Sequence, residues 1–221
     1  MIDVLWLKFA HLLCLVYWLG GDLGVFYSSY TVADARLSPE TRRVAARILF
    51  ALDQAPRICM TLILPLGVHL AWRIGFLPVP GAVVGAAWVV CLGWLAMVLT
   101  LHFGGHGGRL AWLTRFDFAF RVAVVVGLLT VSAASLTDAW RIMPDWTAWK
   151  LAIFGLLVFC GLMVRVRLKP FGPAFANLVR GEPSDEDNAV IRRTLGGTRP
   201  FVLAIWAGLL VETALGLHLL P

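Results

Sequence analysis

Long apolar stretches alternate with short polar segments along the whole chain. A helix of about 20 apolar residues crosses the ~30 Å hydrocarbon core of a bilayer, whereas strands of membrane barrels alternate between apolar and polar residues. The stretches here are long and do not alternate, so the pattern predicts an all-α, polytopic membrane helical bundle. We place its six transmembrane helices near residues 5–28, 50–74, 81–103, 118–137, 147–167 and 199–219.

The composition agrees with a membrane location. Hydrophobic residues make up 60% of the 221 residues and charged residues only 14%, which is far from the balance of a soluble domain. The formal net charge of +6 is explained by arginines in the loops of a membrane protein, so we expect no nucleic acid partner. We expect one integral membrane domain over residues 1–221, with the lipid bilayer as its main partner.

The basic residues are distributed unequally between the two sets of loops. With six spans both termini lie on one side, whose loops carry mainly Arg73 and Arg141. Loops rich in Lys and Arg face the cytoplasm, so both termini are predicted to be periplasmic, in a bacterial inner (cytoplasmic) membrane. The polar segment near 168–198 is then a cytoplasmic loop that could include a short amphipathic helix. The basic residues on the cytoplasmic side are Arg36, Arg42, Arg43, Arg47, Arg109, Arg115, Arg121, Arg165, Arg167, Lys169, Arg180, Arg192, Arg193 and Arg199.

The first apolar stretch carries several polar side chains at helical spacing. Lys8, His11, Leu15, Trp18 and Asp22 are three or four residues apart, so they share one helix face. Ionisable side chains inside a membrane are costly, and they usually face the interior of the bundle at functional sites. This face is therefore the first place to expect function.

Two histidines on neighbouring spans are expected at similar depth. His11 and His69 each lie a turn or two from the side of the N-terminus, on helices that run antiparallel. This arrangement suits axial ligation of haem b by two neutral imidazoles, so we predict both as metal ligands. Trp18 would flank the macrocycle, and Lys8 or Arg73 would pair with its propionates. The alternative for either histidine is a hydrogen bond to a neighbouring helix.

Two further ionisable residues enter the membrane from the same side. Lys150 lies near the start of the fifth span, and Glu212 lies about two turns inside the sixth. A carboxyl group in a membrane interior can exchange protons with a quinol. Lys150 and Glu212 are therefore our candidate catalytic residues, with a quinone as a second candidate cofactor.

Short motifs in three spans resemble a known family. The runs are WLKFAH at 6–11 and WLGG at 18–21, RICMT at 57–61 and LPLG at 64–67, and WKL at 149–151. They are similar to helices of the HemJ-type protoporphyrinogen oxidases and the related CopD copper-resistance membrane domains. The resemblance implies a haem b linked to His11, a porphyrin-side cation at Lys150 and a family arginine at Arg57 in the cofactor site. The chain departs from HemJ-type proteins, which typically have four spans, in having six and in its polar segment.

Three kinds of function follow. The first is a membrane b-type haem redox protein, enzymatic or not, that exchanges electrons with the quinone pool, a porphyrin substrate or a partner dehydrogenase. The second is copper transport or resistance through soft ligands such as Cys14, Cys59 and Met60, although the two cysteines are expected about two turns apart in depth. The third is a structural subunit whose polar face only fixes helix packing. A redox partner subunit and a homo-oligomer are both compatible with the sequence.

Overall fold

The computed structural model describes residues 2–104, 110–137 and 140–219, which contain eight α-helices and no β-strand. The helices are α1 (Ile2–Ala33), α2 (Pro39–Leu52), α3 (Gln54–Arg73), α4 (Gly81–Phe103), α5 (Ala111–Ser135), α6 (Asp145–Arg167), α7 (Phe171–Arg180) and α8 (Asp185–Gly216). Six helical segments, one of which consists of α2 and α3, are long and apolar enough to cross a membrane, and each is called a crossing below. This confirms the predicted all-α bundle with six transmembrane helices. The chain is therefore a multi-pass membrane protein.

The six crossings form a closed ring. Helices α1, α3, α4, α5, α6 and α8 each pack against the next in that order, and α8 packs back onto α1. Inside the ring, Trp18 on α1 meets Phe154 on α6 edge to face, with centroids 6.2 Å apart. We call the end of the bundle with Asp3, Arg73 and Lys150 end A, and the opposite end, with Asp53, end B. The buried apolar core between the ends includes Cys14, Cys59, Met60, Ile63, Trp94, Met97, Leu157, Val158 and Leu209.

The second crossing is made of two helices that meet at Asp53. Pro56 explains the break, because it has no backbone N–H to donate to the Leu52 carbonyl four residues earlier. Proline is tolerated in the first turn of α3, where the N–H groups have no intrahelical partner. The helical region begins at Pro39, where Ser38-Pro39-Glu40 in the sequence is typical of a helix start, so it extends well beyond the span placed near 50–74.

The polar segment near 168–198 contains the short helix α7, as the sequence allowed, and the first turns of α8, which were not expected to extend into it. Gly181, with φ of 88°, ends α7 in the left-handed conformation that glycine adopts without strain. Ser184 and Asp187 then begin α8 with a reciprocal capping box. These helices pack with α2 and the end of α1 around a second apolar core of Val32, Ala33, Ala45, Ala46, Leu49, Phe171, Ala174, Leu178, Ile191 and Leu195.

The packing of α1 against the junction of α2 and α3 can be tested by a substitution at Gly21. A Cβ atom added at Gly21 would lie 2.7 Å from Pro56 Cδ and 3.2 Å from the Leu52 carbonyl oxygen. Because neither atom belongs to a flexible side-chain end, we expect Gly21→Leu to destabilise the protein by about 1–3 kcal/mol. Gly20→Leu is the matched control, since a Cβ there meets no atom within 4 Å. Thermal denaturation of both variants in detergent should show a loss for Gly21→Leu only, and equal midpoints would contradict the described helix contact.

Candidate functional site

His11 is half-buried on α1 and packs against α3. A Cβ atom added at Gly67 would lie 3.1 Å from His11 Cε1, so the absence of a side chain at Gly67 is what admits the imidazole ring. Among the described residues, His11 Nδ1 is buried and makes no hydrogen bond of regular geometry, and the backbone carbonyl of Ile63 is the polar group near the ring. An orphaned buried nitrogen is uncommon in a packed interior, because leaving it unpaired costs free energy. His11 therefore has an unused ligating or hydrogen-bonding position.

Lys150 and Glu212 form an ion pair between α6 and α8. Lys150 Nζ lies 3.4 Å from Glu212 Oε2 and donates a hydrogen bond of 2.9 Å to the Glu212 backbone carbonyl. Among the described residues, the other carboxyl oxygen, Glu212 Oε1, is buried and accepts no hydrogen bond. The structure therefore joins two predicted site residues, Lys150 and Glu212, at end A, and it places His11 on α1 at the same end.

His69 does not join this cluster. Its Nδ1 accepts a hydrogen bond of 3.4 Å from Trp88 Nε1 on α4, and its ring also lies beside Trp72. Successive helix residues are rotated by about 100°, so His69 projects roughly 200° away from Gly67, which faces His11. The depths predicted for His11 and His69 are similar, but the imidazole of His11 packs on one side of α3 and that of His69 projects from the other. Ligation of one metal by His11 and His69 together does not fit this arrangement.

The remaining predicted cofactor residues are also dispersed. Lys8 is exposed on the outer surface of α1, and Arg73 pairs with Asp3 at 2.6 Å. Trp18 is buried deeper in the ring against Phe154. Arg57 forms an ion pair with Asp53 at end B. None of the four contacts the cluster of His11, Lys150 and Glu212 through a hydrogen bond or ion pair among the described residues.

Cys14 and Cys59 lie closer together than their expected depths implied. Contacts of Gly21 with Pro56 and of His11 with Gly67 fix the register of α1 against α3. In this register the two cysteines are offset by about one turn, roughly 6 Å, and not by two. Both cysteines are free and buried in the apolar core. The expected offset of about two turns is therefore corrected to about one turn.

A second buried ionic cluster lies near end B and was not expected. Asp117 on α5 pairs with Arg121, at 3.0 Å, and with Arg165 on α6. Arg121 also lies 3.7 Å from Met60 Sδ and 5.3 Å from the centroid of the Trp94 ring. Both arginines lie inside the predicted spans 118–137 and 147–167, and they were expected only as basic residues on the cytoplasmic side. The sequence does indicate the pair of Asp117 and Arg121. The two residues are four positions apart at the start of an apolar stretch, which places them on one helix face.

No protein-family model matches the chain, and comparisons with curated proteins and with solved structures also find no match. Within residues 2–104, 110–137 and 140–219, no group of three or more His, Cys, Asp or Glu side chains is placed to hold a metal ion. The function is therefore argued from the polar clusters inside the ring.

Proposed function

We propose that the chain is a membrane-embedded redox protein whose reaction centre lies at end A, around His11, Lys150 and Glu212. The observation that carries the proposal is the buried Nδ1 of His11 without a regular hydrogen bond among the described residues, at the same end of an apolar bundle as a charged pair. Intramembrane ionisable groups of this kind mark sites of proton or electron transfer more often than simple packing sites. The resemblance of residues 6–11 and 149–151 to HemJ-type proteins points to the same two positions, His11 and Lys150.

A haem b held by His11 alone fits the residues at end A better than one held by two histidines. Gly67 lies against the imidazole on the side of α3, so a ligand would approach from another side of the ring. The Lys150 ammonium would then offset the negative charge of a porphyrin propionate. When bound, haem b supplies one-electron redox chemistry. His69, already engaged with Trp88, is left out of the metal site.

Lys150 and Glu212 would handle the protons of the reaction. A quinol or a porphyrinogen releases protons together with its electrons, and a base must receive them. Glu212 Oε1 is the buried acceptor without a partner, and Lys150 holds the other carboxyl oxygen in place. With end A towards the periplasm of a bacterial inner membrane, as the loop charges favour, the protons would leave on the periplasmic side.

Absorption spectra of the purified protein test this proposal. We expect a Soret band in the oxidised protein that shifts on reduction with dithionite. The band should be lost in His11→Ala and retained in His69→Ala, which removes an imidazole of the same depth on the other side of α3. A wild-type preparation that folds but contains no haem, or a band that survives His11→Ala, would refute ligation by His11.

Copper handling is a second candidate because Cys14 and Cys59 are buried in one apolar core about one turn apart in depth. These two thiols, with the Met60 thioether on the next residue of α3, offer the soft ligands that Cu(I) prefers. The same purified preparation distinguishes the two candidates. Copper at a stoichiometric level that disappears in Cys59→Ser, with no Soret band, would replace the haem proposal by a copper site.

A further inference from the structure

The cluster at end B carries more positive charge than its own carboxylate can balance. Arg121 and Arg165 share the single carboxylate of Asp117, which is completely buried. The Arg121 side chain is 8% exposed and the Arg165 side chain 29% exposed. Among the described residues, one positive charge of this cluster therefore has no carboxylate partner.

The neighbouring acids do not supply the missing negative charge. Asp53 pairs with Arg57, which is itself a further positive charge acting on Arg121. Asp22, the other buried acid at this end, has Asp53 as the charged group that acts on it. An uncompensated charge in a low-dielectric interior costs several kcal/mol, so a pair or triad of this kind usually has a further counter-ion.

A buried donor beside the arginines also lacks a partner. The ring of Trp94 lies under the Arg121 guanidinium, and Trp94 is 1% exposed. Its indole Nε1, which can only donate, has no acceptor in the structure. Surplus guanidinium N–H groups and an orphaned indole N–H together call for a ligand that is anionic and rich in acceptor oxygens.

We propose that Arg165 and Arg121 bind a phosphate-bearing anion that reaches them from the membrane surface at end B. Arg165 lies two residues before the end of α6, so its partly exposed side chain is close to the depth of lipid headgroups. The guanidinium fork matches phosphate oxygens in pairs of hydrogen bonds, which a lysine ammonium does not. Basic sites between transmembrane helices bind phospholipid headgroups in this way. Asp117, which pairs with both arginines, holds the two guanidinium groups in place.

The test compares phosphate-bearing and phosphate-free additives on the full-length protein in neutral detergent. Three titrations are made while the denaturation midpoint is followed. The first two use phosphatidylglycerol and a glycolipid with the same acyl chains. The third compares inorganic phosphate with chloride at equal ionic strength. We expect phosphatidylglycerol to raise the midpoint and the glycolipid not to. Arg165→Gln should need about tenfold more lipid for the same effect, as expected when charge-assisted hydrogen bonds are lost. Arg141→Gln is the matched control, because Arg141 is an exposed arginine paired with Asp145.

The separate titrations also identify the source of the phosphate group. A rise with phosphatidylglycerol alone assigns the site to a lipid headgroup, and a rise with inorganic phosphate assigns it to a free anion. Equal stabilisation by the glycolipid, no rise with either phosphate source, or an unchanged response of Arg165→Gln would overturn the proposal. If Arg165→Gln does not fold, Arg165→Lys, which keeps the charge and loses the fork, should still respond more weakly than the wild type. Haem content does not enter this readout, so its failure is separate from that of the redox proposal.

Discussion

Replacing Asp117 by Asn is expected to destabilise the protein by about 3–5 kcal/mol, because it leaves two arginines without their common carboxylate. Asp117 is fully buried and accepts hydrogen bonds from Arg121 Nε at 3.2 and 3.0 Å, as well as from Arg165. Asparagine has nearly the same shape, so no cavity forms and the loss reports on charge. The amide also places donor hydrogens where the guanidinium groups need an acceptor.

An SDS titration in detergent micelles would measure this loss. Asp145→Asn is the control, since Asp145 forms an i,i+4 pair with Arg141 as Asp117 does with Arg121, but both members are about half exposed. Exposed pairs contribute roughly 0–1 kcal/mol, so the control should change little. If the two variants lose the same small amount of unfolding free energy, the end-B cluster is not a buried charge network.

Added phosphate should lower the stability of neither variant, and it should partly restore the stability of Asp117→Asn if the anion proposal is correct.

The sequence was sufficient for the fold because membrane insertion constrains each span independently. The fourth helix matched its predicted range of 81–103, since Gly81 and Gly104 border an uninterrupted apolar run. The end of α1 and the start of α8 were placed too far inwards, because both helices continue into polar sequence where hydrophobicity no longer marks them. The break at Asp53 depends on Pro56, a proline inside the predicted second span, where a bend towards end B is expected.

The candidate site was only partly predictable because depth and rotation are different quantities. Residue number along a span gives depth at about 1.5 Å per residue, and this correctly grouped His11, Lys150 and Glu212 at end A. Which side of α3 faces α1 is decided by packing, through contacts such as that of His11 with Gly67. His69 could not be assigned to α4 without that contact. The register that brings Cys14 towards Cys59 was hidden for the same reason.

The Lys150 and Glu212 pair should show a strongly asymmetric response to mutation. Lys150→Met removes the cation and leaves a carboxyl group that is 16% exposed, with Oε1 already unpartnered, so we expect a loss of about 3 kcal/mol. Glu212→Gln is expected to cost only about 1 kcal/mol, because Lys150 keeps its 2.9 Å hydrogen bond to the backbone carbonyl of residue 212. The two single variants therefore separate the carboxyl group from the backbone acceptor.

The double variant shows whether the Lys150–Glu212 ion pair stabilises the fold or is present at the expense of stability. Lys150→Met with Glu212→Gln removes both charges, so it should be more stable than Lys150→Met alone, by about 1–2 kcal/mol in the same SDS titration. Additive losses would mean that the 3.4 Å separation carries no coupling. A double variant as stable as the wild type would show that the charges are not needed for folding. Their presence inside the bundle would then be explained by the chemistry at end A, and the Glu212→Gln variant should keep its Soret band while exchanging electrons with a quinol more slowly.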